Sequence, residues 1–135
     1  MIYEATIQYI SIDKRGNDKV NKEKYIIGDA ETFTDVERKM YEEFQDLTDI
    51  DVITIKRSGI KEIANTRQDN DDKVFLSTLI DVFTDDNGEE KETKYLVAFY
   101  AKDIAHAYAF IREYIQQGYN LDFVELKKTK FIEVI

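Results

Sequence analysis

The sequence has no cysteine, so a disulfide framework and thiolate metal sites are excluded. It has one histidine, and a histidine-based metal site would need several carboxylates or a second subunit to complete it. Proline and tryptophan are absent too. Glycine numbers 5, which leaves little room for a phosphate-cradling loop, and neither GxGxxG nor GxxxxGK followed by Ser or Thr occurs. Nucleotide hydrolysis by those routes is disfavoured. No apolar run approaches the roughly 20 residues of a membrane helix. The opening MIYEATIQ has neither a basic nor an apolar stretch of the kind a secretory signal uses. These absences predict a cytoplasmic protein with no cofactor, no membrane contact and no enzymatic constellation.

What is present is enough for a core. The 135 residues are 43% hydrophobic and 13% aromatic, which suits one compact domain or two small repeats, and disorder would need a lower hydrophobicity. Ile, Lys, Asp and Tyr are frequent, a bias that fits an AT-rich genome. The formal net charge of -9 favours solubility, and it implies repulsion from duplex DNA or mimicry of it. Local pattern matters more than the sum.

The chain repeats itself. Tyr3, Ala5 and Ile7 correspond to Phe75, Ser77 and Leu79, and Asp13 and Gly16 to Asp85 and Gly88. With a two-residue contraction, Lys24-Tyr25-Ile26-Ile27 meets Lys94-Tyr95-Leu96-Val97. With a one-residue expansion, Ala30 meets Ala101, and Phe33, Val36, Met40 and Phe44 meet Ile104, Ala107, Ile111 and Ile115. Ile55-Lys56-Arg57-Ser58 then meets Leu126-Lys127-Lys128-Thr129. This predicts one compact domain, 1–135, built of repeats 1–64 and 73–135 joined by a solvated linker, 65–72.

Each repeat reads strand, strand, helix, strand. Tyr3, Ala5, Ile7 and Tyr9 alternate with polar residues, the period of a half-buried strand. DKRGN and DDNG are hairpin turns with glycine supplying the positive φ, and a calcium-loop reading of DDNGEE fails because Phe83 and Lys94 fall at ligand positions. Apolar residues at 33, 36, 40, 44 and 47 form one helical face, capped by Thr32 or Thr34. Asp103 caps the second helix, Ile104, Ala107, Ile111 and Ile115 form its stripe, and Gly118 ends it. The third strands are kinked, or broken in two, near Gly59 and Lys130. Leu76, Ile80 and Val82 replace Glu4, Gln8 and Ile10 on one face of the opening strand, which places that strand centrally. The fold class is α+β: a pseudo-twofold tandem duplication of a ββαβ unit with a largely antiparallel sheet and two helices.

The candidate site lies in the third strands. Lys56, Arg57 and Lys61 recur as Lys127, Lys128 and Lys130, and Tyr9 and Tyr95 are among the aromatics that accompany them. Cations along a backbone track and flat rings for stacking are what single-stranded nucleic acid requires. Lysines also blunt sheet edges against aggregation, and both readings fit. His106 reads as a surface helix residue, and Glu42-Glu43 as a solvated pair.

The order of an aromatic-led strand, a glycine hairpin, Tyr25-Ile26-Ile27-Gly28-Asp29-Ala30, the helix opening Thr32-Phe33-Thr34-Asp35 and the strand Ile55-Lys56-Arg57 resembles a family of uncharacterised two-repeat proteins of Bacteroidetes and their crAss-like phages. The resemblance covers essentially the whole chain and supplies no catalytic residues. It implies a cytoplasmic, bacterial or phage-encoded setting, in which a small β-rich single-stranded DNA-binding protein would fit. The leading expectation is therefore a non-enzymatic single-stranded nucleic-acid binder. The alternatives are a protein-interaction module (an anti-defence factor or DNA mimic) and a small-molecule binder at a repeat or subunit interface. A protein partner or a homo-oligomer is compatible with each.

Overall fold

The computed structural model describes residues 1–117 and 121–135, so the expected stop at Gly118 lies outside the described residues. The elements run β1 (Tyr3–Ile12), β2 (Asp18–Ile27), α1 (Phe33–Glu43), β3 (Thr48–Arg57), β4 (Ile60–Ile63), β5 (Lys73–Thr84), β6 (Glu90–Ala101), α2 (Ile104–Gln116), β7 (Leu121–Lys128) and β8 (Phe131–Val134). The fold is α+β. Each expected third strand is broken in two, after Arg57 and after Lys128.

The strands form two four-stranded sheets, β3-β1-β2-β8 and β4-β6-β5-β7. The chain divides accordingly into two compact units: unit 1 is Met1–Ser58 with Lys130–Ile135, and unit 2 is Gly59–Thr129. In unit 1, β1 pairs antiparallel with β2 and with β3, and β8 joins β2 in parallel. In unit 2, β5 pairs antiparallel with β6 and with β7, and β4 joins β6 in parallel. Each half of the sequence thus gives its last short strand to the sheet of the other half. A sheet expected to have three strands gains a fourth by this exchange.

Both units are built by the same local rules. In β1, Tyr3, Ala5 and Ile7 are buried while the residues between them are partly open. β5 repeats this with Phe75, Ser77 and Leu79, and it is interior to its sheet, as β1 is to its own. Each hairpin turns on a glycine in the left-handed region, Gly16 at φ 82° and Gly88 at φ 81°. Asp13 Oδ1 accepts from the amides of Arg15 and Asn17, and Asp85 Oδ1 from those of Asn87 and Glu89. The acidic turn is therefore a hairpin whose aspartate side chain organises its own backbone. The long edge strands also match: β3 and β7 carry a bulge at corresponding places, between Thr6 and Ile7 on one partner and between Thr78 and Leu79 on the other.

The register of the second strands corrects one correspondence read from sequence. Ala5 faces Tyr25 and Ser77 faces Val97, so Tyr25 matches Val97 and Glu23 matches Tyr95. The Lys-Tyr pairs that look alike in sequence are two residues out of step. A two-residue slip keeps every side chain on its face, so hydrophobic alternation cannot detect it.

The helices cover one face of each sheet. Thr32 caps α1, its hydroxyl accepting from the Asp35 amide at 3.1 Å, and Asp103 caps α2, its carboxylate accepting from the His106 amide at 2.8 Å. Val36 and Met40 join Tyr3, Ala5, Ile7, Tyr25 and Ile27 in the core of unit 1. Ala107, Ile111 and Tyr114 join Phe75, Leu79, Val97 and Phe99 in that of unit 2. Each such side chain, fully buried, contributes about 1.5–3 kcal/mol of transfer free energy if large. The expected stripes start one turn too early: Phe33 and Ile104, at the first helical position, are 50% and 56% exposed, and the Phe33 ring meets the edge of Tyr3 instead of entering the core.

The stretch 65–72 is exposed over most of its length, yet it is tied into unit 2 at both ends. Asn65 exchanges two hydrogen bonds with the Tyr100 backbone, at 2.7 and 3.0 Å. Asp72 is buried and accepts from the amides of Gln68 and Asp69. The segment closes on itself and fastens to β6 inside unit 2.

Candidate nucleic-acid interface

The pleat decides where the basic residues point. Lys56 pairs with Glu4 and Arg57 with Tyr3, so the two adjacent cations lie on opposite faces of the unit 1 sheet. Lys56 is on the face away from α1, with Thr6, Lys24, Thr54 and Phe131 around it, and its ammonium lies 3.7 Å from Glu4. Arg57 is on the face that α1 covers. The same split holds in unit 2: Lys127 pairs with Leu76 and Lys128 with Phe75, and Lys127 lies 4.0 Å from Glu125. Lys61 is exposed on edge strand β4, and Lys130 is exposed just before edge strand β8. The cations thus occupy both edges of each sheet instead of one strip.

Tyr9 and Tyr95 stand apart from them. Both are half-buried against the helix-side cores. Tyr9 donates to Glu23 Oε1 at 2.7 Å, and Tyr25 donates to the other oxygen of the same carboxylate. In unit 2, Tyr95 and Tyr114 both donate to Glu62 Oε2, at 3.0 and 2.7 Å. One glutamate held by two tyrosines therefore recurs in both units with different wiring. Burial first, and then the hydrogen bond to the glutamate, push the Tyr25 and Tyr114 hydroxyls well above their ordinary 10.0. The Tyr9 hydroxyl is raised chiefly by its hydrogen bond to Glu23. Glu62 also borders a cavity of about 260 Å3 with Ala64, Phe110, Glu113, Tyr114 and Gln117.

A different cluster combines exposed rings with a cation. Tyr108 of α2 and Phe123 of β7 meet edge to face, with centroids 5.9 Å apart and planes at 84°. They are 46% and 42% exposed. The Arg112 guanidinium lies 5.7 Å from the Tyr108 ring centre, a cation–π distance. Ile115, Gln116, Leu121 and Asp122 complete a groove of about 450 Å3 between α2 and β7. The bulge at Val124 positions this site: it lets Phe123 pair with Leu79 and so face the helix. Sequence reasoning missed the groove. Tyr108 falls between the core positions of α2, and its signal is the run IAHAYAF, which is more apolar than one buried stripe requires.

His106 keeps its place on the surface of α2, where its Nδ1 accepts from the Lys102 amide at 3.1 Å. Among the described residues no group of three metal-ligating side chains comes together, and no helix is long and apolar enough to cross a membrane.

The chain belongs to the DUF4494 family. That family is described as a domain of unknown function, and its profile matches residues 1–135. Among curated proteins none matches the chain.

Proposed function

We propose that the protein binds single-stranded nucleic acid, without chemistry of its own, through the groove between α2 and β7 of unit 2. The observation that supports this best is the exposed Tyr108–Phe123 pair with Arg112 over it. Rings of this kind stack unpaired bases at about 1–3 kcal/mol each. A duplex keeps its base faces inside the stack, and its dense charge is repelled by a chain of net charge -9. Arg112 and Lys128, both on the helix side of the sheet, are the two phosphate contacts in this reading, while Lys127 lies on the opposite face of the same strand. Lys56, Arg57, Lys61 and Lys130 then serve to keep the sheet edges from pairing with other chains. The setting we propose is a bacterial cytoplasm, with the protein encoded by the host or by a phage of the crAss-like kind.

The test is fluorescence anisotropy with a labelled oligo-dT and a matched duplex at low and moderate salt. The single strand is expected to bind preferentially. The logarithm of its affinity should fall with log salt at a slope of about -1.4, two contacts at roughly 0.7 each. Absence of oligo-dT binding at low salt, where a cationic site is strongest, overturns the reading.

A second reading has one observation in its favour. Ile104 of α2 and Val124 of β7 are 56% and 54% exposed, apolar surface that a protein partner would bury and a nucleic acid does not need.

A further inference from the structure

We infer that the cavity on the other flank of α2, toward β4, is a site for a primary ammonium group carried on an apolar stem. The inference does not rest on the single-strand reading, which concerns the flank toward β7. Glu62, Ala64, Phe110, Glu113, Tyr114 and Gln117 line the cavity, all of them within unit 2, around about 260 Å3. The helical residues among them recur at spacings of three and four, so they share one face of α2.

The lining favours a cation in two ways. Glu62 and Glu113 are carboxylates, and among the described residues no Lys or Arg lines the cavity with them. Glu62 is fixed in advance, because Tyr95 and Tyr114 both donate to its Oε2, at 3.0 and 2.7 Å. A charge already held in place needs little further ordering when a ligand meets it. Beside the carboxylates stands the ring of Phe110, stacked on Phe99 with centroids 4.6 Å apart. An aromatic ring attracts a cation through its quadrupole.

Unit 1 shows what is missing. Its β8 places Glu133 beside Tyr25 as β4 places Glu62 beside Val97, and the helix correspondence matches Glu42 with Glu113. Both acids are therefore present on the same flank. There, however, Arg38 pairs with Glu42 at 3.1 Å, and the Lys39 ammonium donates to the Asp29 carbonyl. In unit 2 the same two helix positions hold Ala109 and Phe110. The acids stay, the chain's own cations are gone, and a ring and a cavity take their place.

The chemistry of the lining selects the cation. A primary ammonium has three donors and no acceptor. The Glu62 and Glu113 carboxylates and the Gln117 amide oxygen are acceptors for them, and Ala64 and Phe110 supply apolar wall for a stem. A quaternary ammonium would leave the acceptors unmatched. A metal ion is served less well, since no third ligating side chain joins the two carboxylates among the described residues. At about 30 Å3 for each water-sized group, the space admits up to about eight non-hydrogen atoms, enough for a pentylamine or the end of a lysine side chain.

A free alkylamine and a lysine of another protein carry the same group, so the experiment separates them. The whole chain, labelled with nitrogen-15, is titrated at pH 7 with pentylamine, with 1-pentanol and with lysine blocked at both backbone ends. Pentylamine is expected to shift the amide signals of Ala64, Glu113 and Gln117 to saturation. Pentanol, of the same shape without the charge, should bind at least about tenfold more weakly, the equivalent of one charge-assisted hydrogen bond. Glu113 is exposed, so Glu113→Gln leaves the Glu62 network and the thermal midpoint intact while weakening pentylamine by at least about threefold. Tighter binding of the blocked lysine than of pentylamine upholds the site and assigns it to a protein side chain. The reverse order upholds it for a free amine. Equal binding of pentylamine and pentanol, no saturable shift with either amine, or an amine affinity unchanged in Glu113→Gln overturns the inference.

Discussion

The flank of the helix differs between the two units, although the elements match. In unit 2, Tyr108, Arg112 and Phe123 leave a groove between α2 and β7. The helix correspondence that matches Val36 with Ala107 and Met40 with Ile111 puts Glu37 in place of Tyr108 and Tyr41 in place of Arg112, and the bulged strands put Val52 in place of Phe123. There the Tyr41 hydroxyl accepts from the Val52 amide at 3.3 Å, so the ring that replaces the arginine reaches across from α1 to β3. Three substitutions exchange a ring-and-cation cluster for a hydrogen-bonded bridge without altering the scaffold. The lesson is that a shared scaffold leaves the flank of each helix free to differ.

Core substitutions should show how alike the scaffolds are. Ile111→Ala in unit 2 and Met40→Ala in unit 1 remove fully buried side chains, and each should cost about 2–5 kcal/mol in urea unfolding. A loss well under 1 kcal/mol in one alone would mean that the two cores are not equivalent.

The tyrosine-held glutamates come next. Glu62→Ala strips the acceptor from Tyr95 and Tyr114 and cuts a tie from the short β4 to both β6 and α2, and should cost about 1.5–3 kcal/mol. Glu23→Ala should cost about 1 kcal/mol, because Tyr9, Tyr25 and Glu23 all sit on one hairpin that its ladder already holds. Equal losses would show that the cross-element wiring adds nothing.

Binding should then separate the two flanks. Tyr108→Ala should weaken oligo-dT binding by about 1–3 kcal/mol in anisotropy. Glu37→Ala, at the matching place in unit 1, should leave it unchanged. A loss in Glu37→Ala with none in Tyr108→Ala would move the site out of unit 2.

Alkaline pH should affect the two units in parallel. Tyr25 and Tyr114 have folded pKa values above the unfolded 10.0, so the folded state keeps protons that the unfolded state gives up. The stability from this source is complete below about pH 10 and falls above it, by about 1.4 kcal/mol per pH unit for each tyrosine until the folded pKa is reached. Tyr25→Phe and Tyr114→Phe should each remove one such share from pH-dependent urea melts, with the difference in tyrosinate absorbance between wild type and variant reporting the ionisation of that tyrosine.

Much of the scaffold was legible because it depends on short-range rules. Asp-to-Gly turns, Thr32 and Asp103 at helix starts, and strict alternation in β1 each act within a few residues. The separation of Lys56 from Arg57 follows from the same alternation, and adjacency in a strand already implies opposite faces. The slip of β2 against β6 was not legible, because a shift of two preserves the pattern. Nor was the exchange of β4 and β8, since IKEI and FIEV read as edge strands for either sheet. The groove was missed because Tyr108 and Phe123 are far apart in sequence and meet only through the bulge in β7.

The exchanged strands also fix an order of assembly during translation. All four strands of unit 2, β4 to β7, have been made once Lys128 has left the ribosome. Unit 1 has three of its strands by Arg57, yet its fourth is synthesised only after the whole of unit 2. During that interval the β2 edge has unpaired amides and carbonyls, an open template for any passing strand. Domains commonly fold in the order of synthesis, first part first. Here the part begun first is the part finished last, and a nascent chain stalled between residues 129 and 134 would carry one completed sheet and one still lacking its last strand.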